Sequence, residues 1–223
     1  MASAETIRYA RVRFSHYEIF LALFIACLLL SNIAATKLIA AGPLVFDGGA
    51  ILFPLTYVIG DVLAEVYGFR GARRAIILGF LASALGSLTF WLVAIAPSAA
   101  EYTGQEAFVT VLGVVPRFVL ASLLGYIAGQ LLNAYVLTWI KDHWGENQLW
   151  VRLIGSTVVG EFADTIIFCI VAWIGTVSWG TIFNLTGTGF IYKVLVEVAI
   201  LPITYPVIRW VKAHEPHYQE SLM

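Results

Sequence analysis

The run from Ala75 to Ala96 contains no charged residue and is long enough to cross a lipid bilayer. A membrane-spanning helix needs roughly 20 predominantly apolar residues, because the hydrocarbon core is about 30 Å thick. Across the whole chain 60% of the residues are hydrophobic and 12% are charged, which is about half the charged share of a soluble domain. The sequence therefore predicts an all-α integral membrane protein with one polytopic domain over residues 1–223.

Six apolar segments are long enough to be membrane spans, and polar turns separate them. They cover residues 17–41, 51–67, 75–96, 118–140, 153–174 and 188–208. We interpret the first as a retained helix rather than a cleaved signal peptide, because its apolar pattern continues through Lys37 to Ala41. In this layout the first half of the chain, spans one to three, begins on the cytoplasmic side. The second half, spans four to six, begins on the outer side. This parity predicts a six-helix bundle of two inverted three-helix halves.

Lysine and arginine sort to one side of this layout. With both termini in the cytoplasm, ten of the 13 cations fall at cytoplasmic connections, as the positive-inside rule requires. These ten are Arg8, Arg11, Arg13, Arg70, Arg73, Arg74, Lys141, Arg152, Arg209 and Lys212. The other three, Lys37, Arg117 and Lys193, fall at or within outer helix ends. They either reach the outer headgroups or pair with buried acids and gate an outer opening, and the sequence leaves both open.

Carboxylates lie inside three of the predicted spans. With a rise of roughly 1.5 Å per residue, Asp61, Glu161, Asp164 and Glu197 all come out near the bilayer midplane. Glu65 lies one helical turn after Asp61 on the same face. A charge facing lipid at that depth costs at least a few kcal/mol. We therefore expect these acids to face one another or a cavity.

Other polar and aromatic side chains recur at helical spacing. Tyr126, Gln130 and Asn133 share one face of the fourth span, and Phe168 follows Asp164 by four residues on the fifth. Interhelical hydrogen bonds that only hold the bundle together are the alternative. Five carboxylates with amides and aromatics at similar depth favour a binding cavity instead.

The residue types indicate a planar heterocycle rich in N–H groups as the ligand. Carboxylates accept paired donors, amides both donate and accept, and aromatic rings stack on planar faces. A small amine or cation fits the acids as well. We expect no cofactor or metal, because Cys27 and Cys169 lie in apolar runs without metal-ligand spacing. The net charge of -1 gives no basic field for nucleic acid.

The partners we expect are the substrate and the lipid bilayer. Small residues four apart, such as Ala22 with Ala26 and Gly125 with Gly129, let helices approach closely. We interpret these pairs mainly as packing contacts between helices. The first pair also offers a face for a homo-oligomer.

Two long segments, SNIAATKLI and FPLTYVIGDVLAEVYGFRGARR, resemble the queuosine precursor transporter family, which is also known as the vitamin-uptake-type transporter family. The similarity covers residues 17–210. Further matching residues are Arg117, Ser122, Tyr126, Gln130, Asn133, Arg152, Ser156, Asp164, Thr165, Phe168, Lys193, Glu197 and Pro202.

This resemblance implies a six-helix protein of the bacterial inner membrane. It would import 7-deazaguanine precursors of the modified tRNA base queuosine, such as 7-cyano-7-deazaguanine and 7-aminomethyl-7-deazaguanine. By position the resemblance points to Asn32, Asp61, Glu65, Arg117, Gln130, Asp164, Lys193 and Glu197.

Combining the pattern and the resemblance gives two predicted sets of site residues. The substrate-binding set is Asn32, Asp61, Glu65, Tyr126, Gln130, Asn133, Glu161, Asp164, Phe168 and Glu197. The set that pairs charges or gates the cavity is Lys37, Arg117 and Lys193.

Two other functions are compatible with the same residues. A substrate-binding subunit of a multi-component vitamin importer would need separate ATPase partners, because this chain has no Walker A motif. An intramembrane aspartyl enzyme would use Asp61 and Asp164. However, Val58 stands where such proteases usually have a glycine, two residues before Gly60-Asp61. We therefore predict a transporter rather than an enzyme.

Overall fold

The computed structural model describes residues 15–144, 149–216 and 218. Its elements are α1 (Tyr17–Ala34), β1 (Leu38–Ala41), β2 (Leu44–Asp47), a 3-10 helix (Gly48–Leu52), α2 (Phe53–Ile95), α3 (Gln105–Leu112), α4 (Val115–Trp144), α5 (Leu149–Trp173) and α6 (Trp179–His214). The predicted cytoplasmic residues Arg8, Arg11 and Arg13, and the side chains of Lys141 and Arg152, lie outside this description.

The first helix ends at Ala34 rather than at the predicted Ala41. The remainder of the predicted span is β1, which pairs with β2 in an antiparallel hairpin that joins Ala41 to Leu44 across a two-residue loop. Gly42 has a φ of 61° there, a left-handed value that suits glycine and the first position of such a loop. Lys37 is therefore exposed in the turn before β1, not on a helix.

The chain reverses direction at Gly68, inside α2. Gly68 has a φ of 68° and interrupts the helix. Residues 53–67 run antiparallel to α1, since Tyr67 contacts Tyr17 while Ile59 and Cys27 share a core cluster. Residues 69–95 run back alongside α1. The sequence-predicted turn at this position is confirmed. It divides α2 into two antiparallel arms.

Contacts show that the direction of the following helices also alternates. Asn32 near the end of α1 accepts a hydrogen bond from Ser122 near the start of α4. The α6 residue Asn184 bonds the hairpin, and Glu215 just after α6 bonds Ser15 just before α1. We call these two ends of the bundle the hairpin end and the terminal end. The described residues nearest both chain ends thus lie together at the terminal end.

Large apolar side chains cover the outside of the bundle. On the second arm of α2, Leu81 and Leu85 are 60% and 65% exposed, and Trp91 is 52% exposed. Contiguous exposed apolar surface of this kind suits lipid rather than water. Among the described residues, four helices are long and apolar enough to cross a membrane, namely Tyr17–Ala34, Arg70–Ile95, Gln105–Gly129 and Trp179–His214.

The predicted helical membrane-protein class agrees with this fold, apart from the small hairpin. The connection between the third and fourth predicted spans, residues 97–117, contains the short helix α3 (Gln105–Leu112). The count of six spans, the cytoplasmic termini and the inverted repeat stay predictions.

Polar contacts define both ends of α6. Ser178 caps its start by accepting a hydrogen bond from the Thr181 backbone N–H at 3.2 Å, which satisfies one of the free donors of the first turn. Pro202 and Pro206 lie inside the helix, where each removes a backbone donor. The helix ends at His214, and Glu215 follows it.

Glu215 ties three chain segments together at the terminal end. The residue is 2% exposed. Its carboxylate accepts hydrogen bonds from the Tyr67 hydroxyl at 2.8 Å, the His16 backbone N–H at 3.0 Å and the Ser15 hydroxyl at 3.1 Å. Burial alone would raise the pKa of Glu215, but the hydrogen bonds from Tyr67, His16 and Ser15 together lower it below its ordinary value.

Candidate functional site

A cavity of about 280 Å³ lies between the helices next to the hairpin. It is bounded by α1, β2, both arms of α2, α4, α5 and α6. Its polar lining residues are Ser31, Asn32, Asp47, Thr56, Ser122, Tyr126, Asp164, Thr165, Tyr192 and Lys193. Ligand pockets usually measure roughly 300–1,000 Å³. This cavity is therefore sized for one small molecule.

Lys193 is the buried cation of this cavity. It is 8% exposed, and its Nζ lies 2.5 Å from Oδ2 of Asp164 and 3.5 Å from Oε2 of Glu161. The sequence reasoning placed Lys193 in a pairing role, and in the structure it pairs with two acids of α5. Because one ammonium serves two carboxylates, this triad carries one net negative charge when all three groups are ionised.

Glycines on α4 bring the α5 carboxylate to the cavity wall. A Cβ on Gly125 would lie 2.8 Å from both the carbonyl oxygen and Oδ1 of Asp164, and one on Gly129 would lie 2.8 Å from the carbonyl oxygen of Gly160. Only glycine allows this approach of two backbones. The predicted packing role of the Gly125 and Gly129 pair is therefore seen between α4 and α5.

Asn32 connects α1 to α4 in the cavity wall. It is 3% exposed, donates from Nδ2 to the carbonyl oxygen of Leu28 at 2.9 Å, and accepts from the Ser122 hydroxyl at 2.8 Å. The predicted residues Asn32, Tyr126, Asp164, Phe168 and Lys193 thus come together around one cavity.

Four of the predicted acids are not among the residues that line the cavity. Glu161 contacts Lys193 from outside the lining, and Asp61, Glu65 and Glu197 lie toward the terminal end. Asp61 and Glu65 are exposed, and Glu65 pairs with Lys212 at 2.6 Å. Glu197 is half-buried and lies within electrostatic reach of Glu161 and Asp61. These groups form a charged strip that leads away from the Lys193 triad.

Arg117 caps the end of a helix. Its guanidinium donates to the carbonyl oxygen of Val171 at 2.7 Å and to that of Ile174, which are among the free acceptors at the end of α5. The structure gives Arg117 this capping contact in place of the predicted pairing with a buried acid. The side chains of Gln130 and Asn133, both predicted to bind substrate, lie outside the described residues.

Sequence reasoning missed the contribution of the hairpin. Phe46 and Asp47 of β2 line the cavity, together with Tyr192 of α6. The segment LVFDGG carries the available signal, since a short apolar run ending in Asp-Gly is typical of a strand followed by a turn. The adjoining apolar run of spanning length masks this signal, so the span layout places only a turn here.

Comparison with known proteins decides the family. Residues 47–207 match the family model described as "Putative vitamin uptake transporter". The chain belongs to this vitamin uptake transporter family. The family resemblance inferred from the sequence is confirmed, and a transporter is the class that the site residues favoured over an enzyme.

Two relatives of the chain share one name with each other. A "Probable queuosine precursor transporter" of Bacillus subtilis (strain 168) is 33% identical over 178 residues, covering 78% of this chain and 77% of the relative. A second protein with that name, from Haemophilus influenzae (strain ATCC 51907 / DSM 11121 / KW20 / Rd), is 23% identical over 163 residues, covering 72% and 67%. No solved structure gives a significant match to the chain.

Proposed function

We propose that this chain imports queuosine precursors, which are 7-deazaguanine bases, across the bacterial inner membrane. In this proposal six helices span the membrane, both termini are cytoplasmic, and the cavity next to the hairpin is the substrate site. The names of the two relatives support the substrate class. The size and lining of the cavity support a planar base.

The observation that carries the proposal is the buried pair of Lys193 and Asp164 at the cavity wall. A guanine-like edge presents a carbonyl acceptor beside N–H donors. An ammonium only donates and a carboxylate only accepts, so these neighbouring groups form the complementary pattern. Lys193 donates to the carbonyl oxygen of the base, and Asp164 accepts from its ring N–H and exocyclic amine.

Aromatic side chains in the lining hold the faces of the base. Tyr126 and Phe168 both border the cavity, and each is braced by another ring. Phe80 lies 6.0 Å from Tyr126, and Phe118 lies 6.1 Å from Phe168. Stacking on an aromatic side chain contributes about 1–3 kcal/mol per base. Stacking therefore supplies affinity, while the Lys193 and Asp164 edge supplies selectivity.

The charged strip from Glu197 to Glu65 is the proposed path toward the cytoplasm. An ionised group facing lipid at the helix centre costs at least about 2.5–3.5 kcal/mol. Asp61 and Glu65 are exposed in the structure, so they meet water in this proposal rather than hydrocarbon. Substrate leaves the cavity along that aqueous face when the ion pairs of Lys193 with Asp164 and Glu161 separate.

Thermal stability of the purified protein tests the binding step. A ligand that binds only the folded state raises the Tm by mass action. We expect a rise with 7-cyano-7-deazaguanine or 7-aminomethyl-7-deazaguanine, and none with adenine, which lacks the matching edge. Asp164→Asn should abolish the rise, whereas Glu106→Gln on the exposed surface of α3 should keep it. A rise with vitamins or simple amines alone would refute the substrate class.

Transport is tested by placing the purified chain alone in lipid vesicles. Uptake of the labelled base without any partner protein is the expected result. If binding occurs but uptake requires an added ATPase complex, the chain is a substrate-binding subunit of a multi-component importer instead.

A further inference from the structure

Two consecutive residues at the end of β2, Phe46 and Asp47, line the cavity. Its position is fixed by α6, because Asn184 accepts from the Val45 backbone N–H at 2.8 Å and donates to the carbonyl oxygen of Pro43 at 2.9 Å. These paired contacts lock the hairpin onto the helix that carries Lys193. The strand is thus a rigid part of the site rather than a loose cover.

The turn after Asp47 is packed too closely for any residue but glycine. A Cβ on Gly48 would lie 2.5 Å from the carbonyl oxygen of Ala34, and one on Gly49 would lie 2.8 Å from both Oδ1 of Asp47 and the Ser31 hydroxyl. Close contact with the end of α1 therefore holds the Asp47 carboxylate in one place.

Helix capping accounts for only part of what Asp47 offers. Its Oδ1 accepts from the Gly49 backbone N–H at 2.8 Å, at the start of the 3-10 helix. A neutral asparagine performs the same capping as well as aspartate does. The carboxylate also interacts with the backbone N–H of Ala50, and neither contact requires a negative charge, because an amide oxygen accepts as well.

The charged side chains around the cavity favour a bound cation. Among the described residues that line it, the charged side chains are Asp47, Asp164 and Lys193, which sum to one net negative charge. Lys193 acts electrostatically on Asp47, but its ion pairs at 2.5 and 3.5 Å go to Asp164 and Glu161. With Glu161 counted, the triad keeps one net negative charge, and Asp47 adds a second on the hairpin side of the cavity.

The rings beside Asp47 suit a planar ligand. Phe46 and Tyr192 are parallel to within 6°, with centroids 6.4 Å apart, and both border the cavity. The Tyr192 hydroxyl donates to the carbonyl oxygen of Ala50 at 3.1 Å, which fixes that ring. Both rings thus offer a flat apolar face beside Asp47, and Lys193 and Asp164 line the same cavity.

We propose that Asp47 is a specificity-determining residue. It binds a protonated primary amine on the five-membered ring of the 7-deazaguanine, at the end of the base that lies beside Phe46 and Tyr192. This rests on the proposed function and names the member of the substrate class that the site prefers. A primary amine is charged at neutral pH, because its pKa is about 10. The aminomethyl base therefore binds more tightly than the uncharged cyano base.

Isothermal titration of both bases against wild type and Asp47→Asn tests this assignment. The asparagine keeps the capping acceptor and removes the charge. Losing a hydrogen bond to a charged group should weaken binding of the aminomethyl base roughly 10- to 150-fold, with the affinity for the cyano base little changed. Glu106→Gln is the matched acid-to-amide control and should change neither affinity.

If Asp47→Asn leaves the ratio of the two affinities unchanged, whether or not both fall, the assignment is overturned. If that variant does not fold, wild type is titrated with the aminomethyl base and with its N-acetylated, uncharged derivative of similar shape at the ring. The assignment would also be overturned if wild type binds the cyano base as tightly as the aminomethyl base, or more tightly. Failure of folded wild type to bind either base would overturn the proposed function together with this inference.

Discussion

Replacing Lys193 with methionine measures how much the buried triad contributes to stability. Methionine keeps most of the unbranched apolar stem and removes the charge, leaving Asp164 and Glu161 without the ammonium at 2.5 and 3.5 Å. Removing one partner of a buried ion pair costs about 3–5 kcal/mol. Both acid side chains are 24% exposed rather than fully buried, so the lower value of about 3 kcal/mol applies.

The expected loss converts to a measurable change in Tm. For proteins of this size 1 kcal/mol corresponds to roughly 2–4 °C. Lys193→Met should therefore lower the Tm in detergent by about 6–12 °C. Adding Asp164→Asn to the same chain should recover part of this loss, because it removes one of the two uncompensated carboxylates.

Lys212→Met is the matched control on the same helix. Lys212 makes an ion pair of similar length with Glu65, 2.6 Å, but the two side chains are 26% and 59% exposed. Exposed pairs contribute about 0–1 kcal/mol, so this variant should lose less than about 4 °C. If Lys193→Met costs no more than Lys212→Met, then the triad behaves as a surface pair and the reasoning from burial is refuted.

Two further substitutions test the helix packing and the contact at the terminal end. Gly125→Ala places a methyl group 2.8 Å from the Asp164 carbonyl oxygen, so α4 must move away from α5. We expect the free energy of unfolding to fall by about 1–3 kcal/mol and base binding to weaken. Both effects are measured as the Tm with and without ligand. Glu215→Gln should lower the Tm at neutral pH, because the buried carboxylate accepts three hydrogen bonds. The pKa of Glu215 is lowered in the fold, so its contribution is present above the unfolded value of about 4.5 and is lost as pH falls through the folded pKa. The Tm gap between wild type and Glu215→Gln should therefore close in acid.

Each of these substitutions has a control in the same chain. Gly60→Ala adds a methyl group where no atom lies within 4 Å, and should leave both stability and base binding intact. Glu106→Gln changes an exposed acid and should show no Tm gap at any pH. Equal effects of Gly125→Ala and Gly60→Ala would contradict the close packing of α4 on α5. A Tm gap for Glu215→Gln that stays constant well below pH 4.5 would contradict the role of its charge.

The positions of the helices could be predicted from local sequence patterns. The charge-free run 75–96 and the acid-bearing runs appear as helical segments, and the turn near Gly68 is where the chain reverses. Hydrophobicity and glycine act through the nearest neighbours in the sequence, so these features can be read from short windows. The hairpin was not predicted, because its apolar residues prolong the pattern of α1 and its pairing depends on contacts with α6.

The amino-acid sequence by itself determined the membrane class, the helical segments and the presence of costly buried charges on several of them. Only the tertiary structure decided which charges meet. It brings Lys193, Asp164 and Glu161 into one triad, turns Asp61 and Glu65 outward, and adds Asp47 from the hairpin. The physical reason is that helical spacing fixes the face of a side chain on its own helix, whereas rotation and approach between helices depend on packing contacts such as those of Gly125 with α5.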